Sequence, residues 1–215
     1  MIPQNEKAFA AFVEQWELQD DQVHQFRLYI DLLEQWNQRT NLISKNDLAN
    51  IVSRHLSESL LFARLSAVAA ANSLIDLGSG GGFPGIPIKI VHPELDVILI
   101  DSKRMKCLFL REVIDVLGLK KIAVICDRVE SACSHLPAKS VDVVVARAVA
   151  RLEKLWNWSK PLLAQDGCLI TMKGGDVQEE ITLLQKSDAR VQVLVEEALQ
   201  IGSETTRVFV FVKRR

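Results

Sequence analysis

The chain has 215 residues, with 26 lysines and arginines against 27 aspartates and glutamates, for a formal net charge of -1. That length suffices for one domain with a full core and a small appendage, and 48% hydrophobic with 25% charged residues is ordinary for a soluble globular protein. No apolar stretch is long and uncharged enough to span a bilayer, so a soluble protein is expected, while near-neutral charge neither favours nor excludes nucleic acid.

The N-terminus, Met1-Ile2-Pro3-Gln4-Asn5-Glu6, has no basic region leading into an apolar stretch. Cys107, Cys126, Cys133 and Cys168 form no Cys-x-x-Cys and have no histidine at ligand spacing, so neither a metal nor a disulfide is expected. A reducing, cytoplasmic location is the simplest context. From Lys7 to about Ala71 the apolar spacing is helical: Phe9, Phe12, Val13 and Trp16 form one stripe, Val23, Phe26, Ile30 and Leu33 a second. Both read as core. A third helix is expected to start near Asp47 as cap and to run through Leu60. The polar connector Trp36 to Ile43 is a candidate contact surface.

At Ser73 the rhythm changes, which divides the chain into an N-terminal helical segment, 1–72, and a second unit, 73–215. Strands are expected at 73–77, 96–100, 122–126, 141–146, 167–172, about 191–197 and about 206–212, alternating with helical stretches. Nearly continuous apolar runs such as Val141-Asp142-Val143-Val144-Val145 suit a parallel sheet covered on both faces. The fold class is α/β, a Rossmann-like doubly wound sheet. The last two strands, joined by a short connector around Gly202-Ser203, are expected to form an antiparallel pair at its edge.

The most informative run is Leu74-Ile75-Asp76-Leu77-Gly78-Ser79-Gly80-Gly81-Gly82-Phe83-Pro84-Gly85, an apolar strand that stops in a glycine turn opening a helix. Such a turn lets a ligand approach the main chain. Gly78 and Gly80 fit a dinucleotide fingerprint, but Phe83 stands where its third glycine would allow close helix packing. Asp76 would sit close to a pyrophosphate, whereas the cationic S-adenosylmethionine tolerates an acid there. About twenty-five residues beyond Asp76, Asp101 ends the second strand, where an acid can accept hydrogen bonds from ribose hydroxyls; the plainer reading is a cap for the helix that follows. Ligands of such sheets sit at the carboxyl ends of the strands, which here carry Asp101-Ser102, Asp127 to Glu130, Ala146 to Ala148 and Lys173 to Gly175. Arg128, Arg147 and Lys173 are expected to converge on this rim.

The extended run Asp76 to Pro87, with Arg128-Val129-Glu130, Ala146-Arg147-Ala148, Met172-Lys173-Gly174, Trp36-Asn37, Asn41-Leu42 and Arg54-His55-Leu56, resembles the glucose-inhibited division protein B family over nearly the whole chain. These are bacterial methyltransferases acting on small-subunit ribosomal RNA. The resemblance implies methylation of N7 of one guanine in 16S rRNA near the decoding centre, with S-adenosylmethionine as donor and the small ribosomal subunit as partner. It places cofactor contacts on Gly78, Gly80, Phe83, Val129, Glu130 and Arg147, with Asp101 at the ribose. Arg128, Lys173 and Arg207 would face RNA, and Arg147 and Lys173 would serve the reaction.

Guanine N7 offers a lone pair without a proton, so no general base is required and the task is positioning and electrostatics. Arg147 either holds the methionine carboxylate of the cofactor or holds the guanine O6 edge or a phosphate. His24, His55, His92 and His135 are scattered and read as structural or surface residues. Trp156 and Trp158 could stack a base, although their helical spacing reads as core. Three other readings stay open: a methyltransferase for another RNA or a small molecule, an NAD-linked oxidoreductase, and a non-catalytic RNA-binding or cell-division factor.

Overall fold

A computed structural model describes residues 3–198 and 207–215. The helical segment comprises α1 (Pro3–Trp16), α2 (Asp20–Asn37), α3 (Lys45–Ala49), a π-helical stretch at Ile51–Leu56, α4 (Ser57–Ala63) and α5 (Ser66–Ala69). The cap of α3 is Ser44, not Asp47. The Ser44 hydroxyl accepts from the Asp47 amide at 3.1 Å, and the Asp47 carboxylate is turned to Arg54 at 3.0 Å. The expected third helix is interrupted at Asn50, with φ of -117° and ψ of 26°.

Seven strands follow: β1 (Ser73–Leu77), β2 (Asp96–Asp101), β3 (Ile122–Cys126), β4 (Val141–Arg147), β5 (Leu163–Gly174), β6 (Val191–Glu197) and β7 (Arg207–Arg214). Between them run α6 (Gly85–Val91), α7 (Arg104–Val116), α8 (Val129–His135), α9 (Leu152–Ser159) and α10 (Gln178–Ser187). The spatial order is β3-β2-β1-β4-β5-β7-β6. The first five strands are parallel, and β7 inserts antiparallel between β5 and β6. The connector expected around Gly202-Ser203 lies outside the described residues. β5 begins four residues before the expected 167, because its pairing with β4 starts at Leu163 and shifts register between Val141 and Val143. Gly167 permits that irregularity, since a Cβ there would stand 2.7 Å from the Val141 carbonyl oxygen.

Strand alternation sorts the core into two layers. Leu74, Val97, Leu99, Val143, Val145 and Ile170 face α1, α2, α4, α6 and α7, sharing one cluster with Phe9, Phe26, Leu33 and Phe62. Residues 3–72 thus share the sheet's core on this face. Ile75, Leu77, Ile100, Val144 and Leu169 face α8, α9 and α10 on the other side. Trp156 belongs to that second layer and donates to Asp188 at 3.1 Å, so it is core and not a stacking platform. Among the described residues no helix is long and apolar enough to cross a membrane.

Candidate active site

The glycine turn sits where β1 ends, and Gly78, Gly80 and Gly82 all take positive φ. The close-packing role that Phe83 cannot fill passes to Gly85, whose amide donates to Asp76 Oδ2 at 3.0 Å. A Cβ there would stand 2.8 Å from that same oxygen. Asp76 is therefore a brace beneath the turn, wholly buried, with Oδ1 lacking a hydrogen-bond partner among the described residues. Burial pushes its carboxyl up to about 7. From the far side, Tyr29 of α2 donates a short hydrogen bond to the Gly81 carbonyl, so the helical segment also fixes the turn.

Asp101 both orders the turn and starts the next helix. Its Oδ2 accepts from the Gly80 amide at 2.9 Å and its Oδ1 from the Lys103 amide at 2.8 Å. The first contact ties the tips of β1 and β2 together, which capping alone would not do.

A cavity of about 510 Å³ opens beside the turn, lined by Gly78 to Gly81 and Phe83 on one side and by Arg147, Lys173 and Arg207 on the other. Residues of the helical segment close its third wall, among them Ile43, Asp47, His55 and Glu58. Arg147, the last residue of β4, reaches across to this wall. Its guanidinium donates to Glu58 Oε2 at 2.9 Å and makes a short hydrogen bond to His55 Nδ1, while lying 5.3 Å from the Phe83 ring centre. His55 stacks on Phe83 with ring centres 4.8 Å apart. Because Nδ1 accepts, the neutral ring carries its proton on Nε2, 3.6 Å from Asp47. Burial first, and the adjacent Arg147 charge second, push His55 down to about 3.

The expected convergence of three cations holds for two of them. Lys173 lines the cavity but is drawn inward, donating to the Ala150 carbonyl at 2.8 Å and pairing with Glu180 at 3.0 Å. Arg128 does not line the cavity: it is exposed at the N-cap of α8, two residues past the end of β3. Val129 is buried in the second core layer, and Glu130 is exposed and 3.5 Å from Lys154. Arg207 does line the cavity, with Nε 3.4 Å from Glu58 Oε1. Sequence reasoning missed Glu58, Asp47, Tyr29 and Lys106 of α7, which also lines the cavity, and took His55 for a structural residue. The only sequence signal for His55 was its place in the Arg54-His55-Leu56 motif.

A family model described as rRNA small subunit methyltransferase G matches residues 22–209. The chain is 42% identical over 171 residues to a ribosomal RNA small subunit methyltransferase G of Chloroflexus aggregans, covering 79% of this chain and 71% of that one. It is 40% identical over 205 residues to a protein of the same description from Roseiflexus sp., covering 92% and 87%. Among solved structures, M. jannaschii TYW2 in complex with AdoMet is similar in fold, with TM-score 0.56 and 16% identity over 75% of this chain and 76% of that one. A SAM dependent methyltransferase from Aquifex aeolicus gives TM-score 0.53 and 20% identity over 73% and 88%.

Proposed function

The chain belongs to the rRNA small subunit methyltransferase G family, and from that premise we propose that it transfers a methyl group from S-adenosylmethionine to N7 of one guanine of 16S rRNA, near the decoding centre, in the cytoplasm. The cofactor supplies a methyl carbon activated by its sulfonium. The residues present suit it: a glycine turn whose main chain borders the cavity, an acid at the tip of β2, and a buried carboxyl group beneath the turn. Gly78, Gly80, Phe83 and Asp101 would hold it, with Val129 and Glu130 contributing from the start of α8, which follows β3.

The observation that carries the reading is that the carboxylates and the histidine lining the cavity are already engaged. Asp47 pairs with Arg54, Glu58 pairs with Arg147, and His55 accepts from Arg147 through its deprotonated nitrogen. A nucleophile that must lose a proton would lack a free acceptor among these groups, whereas N7 needs none. Arg147 and Arg207 then serve to place the base and its phosphates, and a guanidinium on O6 or phosphate avoids the positive charge that forms at N7. Lys173 supports the same wall. Arg128, outside the cavity, would meet RNA beyond the target nucleotide.

Two measurements test the reading together. Calorimetry should show binding of S-adenosylmethionine and none of NADH; the reverse would restore an oxidoreductase. Methyl transfer to small ribosomal subunits should fall with salt, with a log-log slope that scales with the phosphates neutralised. Cofactor binding without modification of subunits at any salt concentration would instead point to another RNA or a small molecule.

A further inference from the structure

We propose that Glu58 is the positioning residue for the substrate end of this cavity: one carboxylate, delivered by the helical segment, fixes Arg147 and Arg207 in their working places. The inference rests on the functional reading above and deepens it. Arg147 ends β4 and Arg207 begins β7, and β5 lies between those strands, so the two guanidiniums spring from positions two strands apart. Neighbouring strands are about 4.8 Å apart, which puts the two backbones at roughly twice that. The sheet by itself leaves the two side chains unconnected.

Glu58, in the first turn of α4, joins them from above. Oε2 lies 2.9 Å from Arg147 Nη1 and Oε1 lies 3.4 Å from Arg207 Nε. The Glu58 side chain is only 15% exposed and that of Arg147 only 12%, so the pair is shielded from water. A shielded carboxylate between two cations suppresses their repulsion; it directs Arg147 through a hydrogen bond and holds Arg207 by charge alone, since Arg207 Nε makes no hydrogen bond among the described residues. Gly174, the last residue of β5, leaves room for this arrangement: a Cβ there would come within 2.6 Å of Arg207 Nη1. The His55 contact gives Arg147 a second anchor from the same segment, but among the described residues it is Glu58 that pairs with both arginines.

Glu58→Gln preserves shape and removes the charge, and its amide would present a donor to one of the two guanidiniums. The test compares wild type, Glu58→Gln, Arg147→Lys and the double variant, reading turnover on small ribosomal subunits, affinity for S-adenosylmethionine and melting temperature. The expected result is at least about a tenfold loss of turnover for Glu58→Gln, with cofactor affinity unchanged. In the Arg147→Lys background the same substitution should cost much less, because a residue acting through another is not additive with it. Wild-type turnover in Glu58→Gln overturns the inference, as does a loss that simply multiplies with that of Arg147→Lys or tracks cofactor affinity. If Glu58→Gln does not fold, Glu58→Asp, which keeps the charge but is too short to span both arginines, is judged by the same criteria. A wild-type protein that leaves subunits unmodified overturns the functional reading and this inference with it, whereas active wild type with active Glu58→Gln overturns the inference alone.

Discussion

Replacing Asp76 by asparagine should uncover two opposed proton couplings that meet at the glycine turn. Desolvation pushes the Asp76 carboxyl up to about 7 from 3.8, against a hydrogen bond from the Gly85 amide that lowers it. About three units at about 1.4 kcal/mol each set a ceiling near 4 kcal/mol. Since the folded value is raised, this contribution is fully present below about pH 4 and is lost as pH rises through about 7. His55 has the opposite sign: burial and Arg147 push it down to about 3 from 6.5, so its contribution is present above 6.5 and is lost as pH falls toward 3. Between about pH 4 and 6.5 the two largely cancel in the wild type. In Asp76→Asn the side-chain amide oxygen still accepts from Gly85 but the group does not titrate. Urea unfolding of this variant should therefore show stability climbing with pH by a few kcal/mol more than in the wild type. His55→Gln should show the mirror image, stability falling as pH rises. Other titrating groups contribute equally to each profile and drop out of the differences. Parallel profiles for wild type and Asp76→Asn would refute a buried, ionisable carboxyl beneath the turn.

Arg147→Lys is expected to lower turnover at least about tenfold, or about 1.4 kcal/mol in the barrier, because an ammonium cannot serve two directions as a planar fork does. A guanidinium buried against Glu58 and His55 makes a lower melting temperature the expected companion; an unchanged melt with full turnover would remove Arg147 from the site. Gly85→Ala should cost about 1–3 kcal/mol in chemical denaturation, since the new Cβ meets both Asp76 and Leu99, and an unchanged midpoint would show that α6 shifts freely. Asp101→Ala should weaken cofactor binding in calorimetry by about 1.5–3 kcal/mol, with loss of the contact to Gly80 adding disorder of the turn; unchanged affinity would show that Asp101 does not hold the cofactor.

The strands were legible because a buried parallel sheet leaves nearly unbroken apolar runs, as at Val141 to Val145, and the glycine turn because its composition has few other uses. The early start of β5 was not, since it depends on a register shift against β4 that no local pattern records. Neither was the cap of α3, where Ser44 and Asp47 are both good capping residues and only the backbone decides between them. In the site, rim positions of strands such as Arg147 and Lys173 could be placed from topology. The third wall could not. Tyr29, Asp47, His55 and Glu58 reach the turn and its cavity from helices whose docking is set by a core shared with the sheet, so their relation to Arg147 is a tertiary fact. Arg128 fails for the complementary reason: it follows a strand end, yet it sits exposed at the N-cap of α8 and does not line the cavity.

Nucleoside mass spectrometry of 16S rRNA decides whether this protein methylates guanine N7. Small subunits from a strain lacking this protein are treated with the purified enzyme and S-adenosylmethionine, and the RNA is digested and analysed. The expected result is the gain of a single 7-methylguanosine per 16S molecule, within the decoding region. Subunits that gain no 7-methylguanosine, or that gain a methyl group on another atom or base, would contradict it.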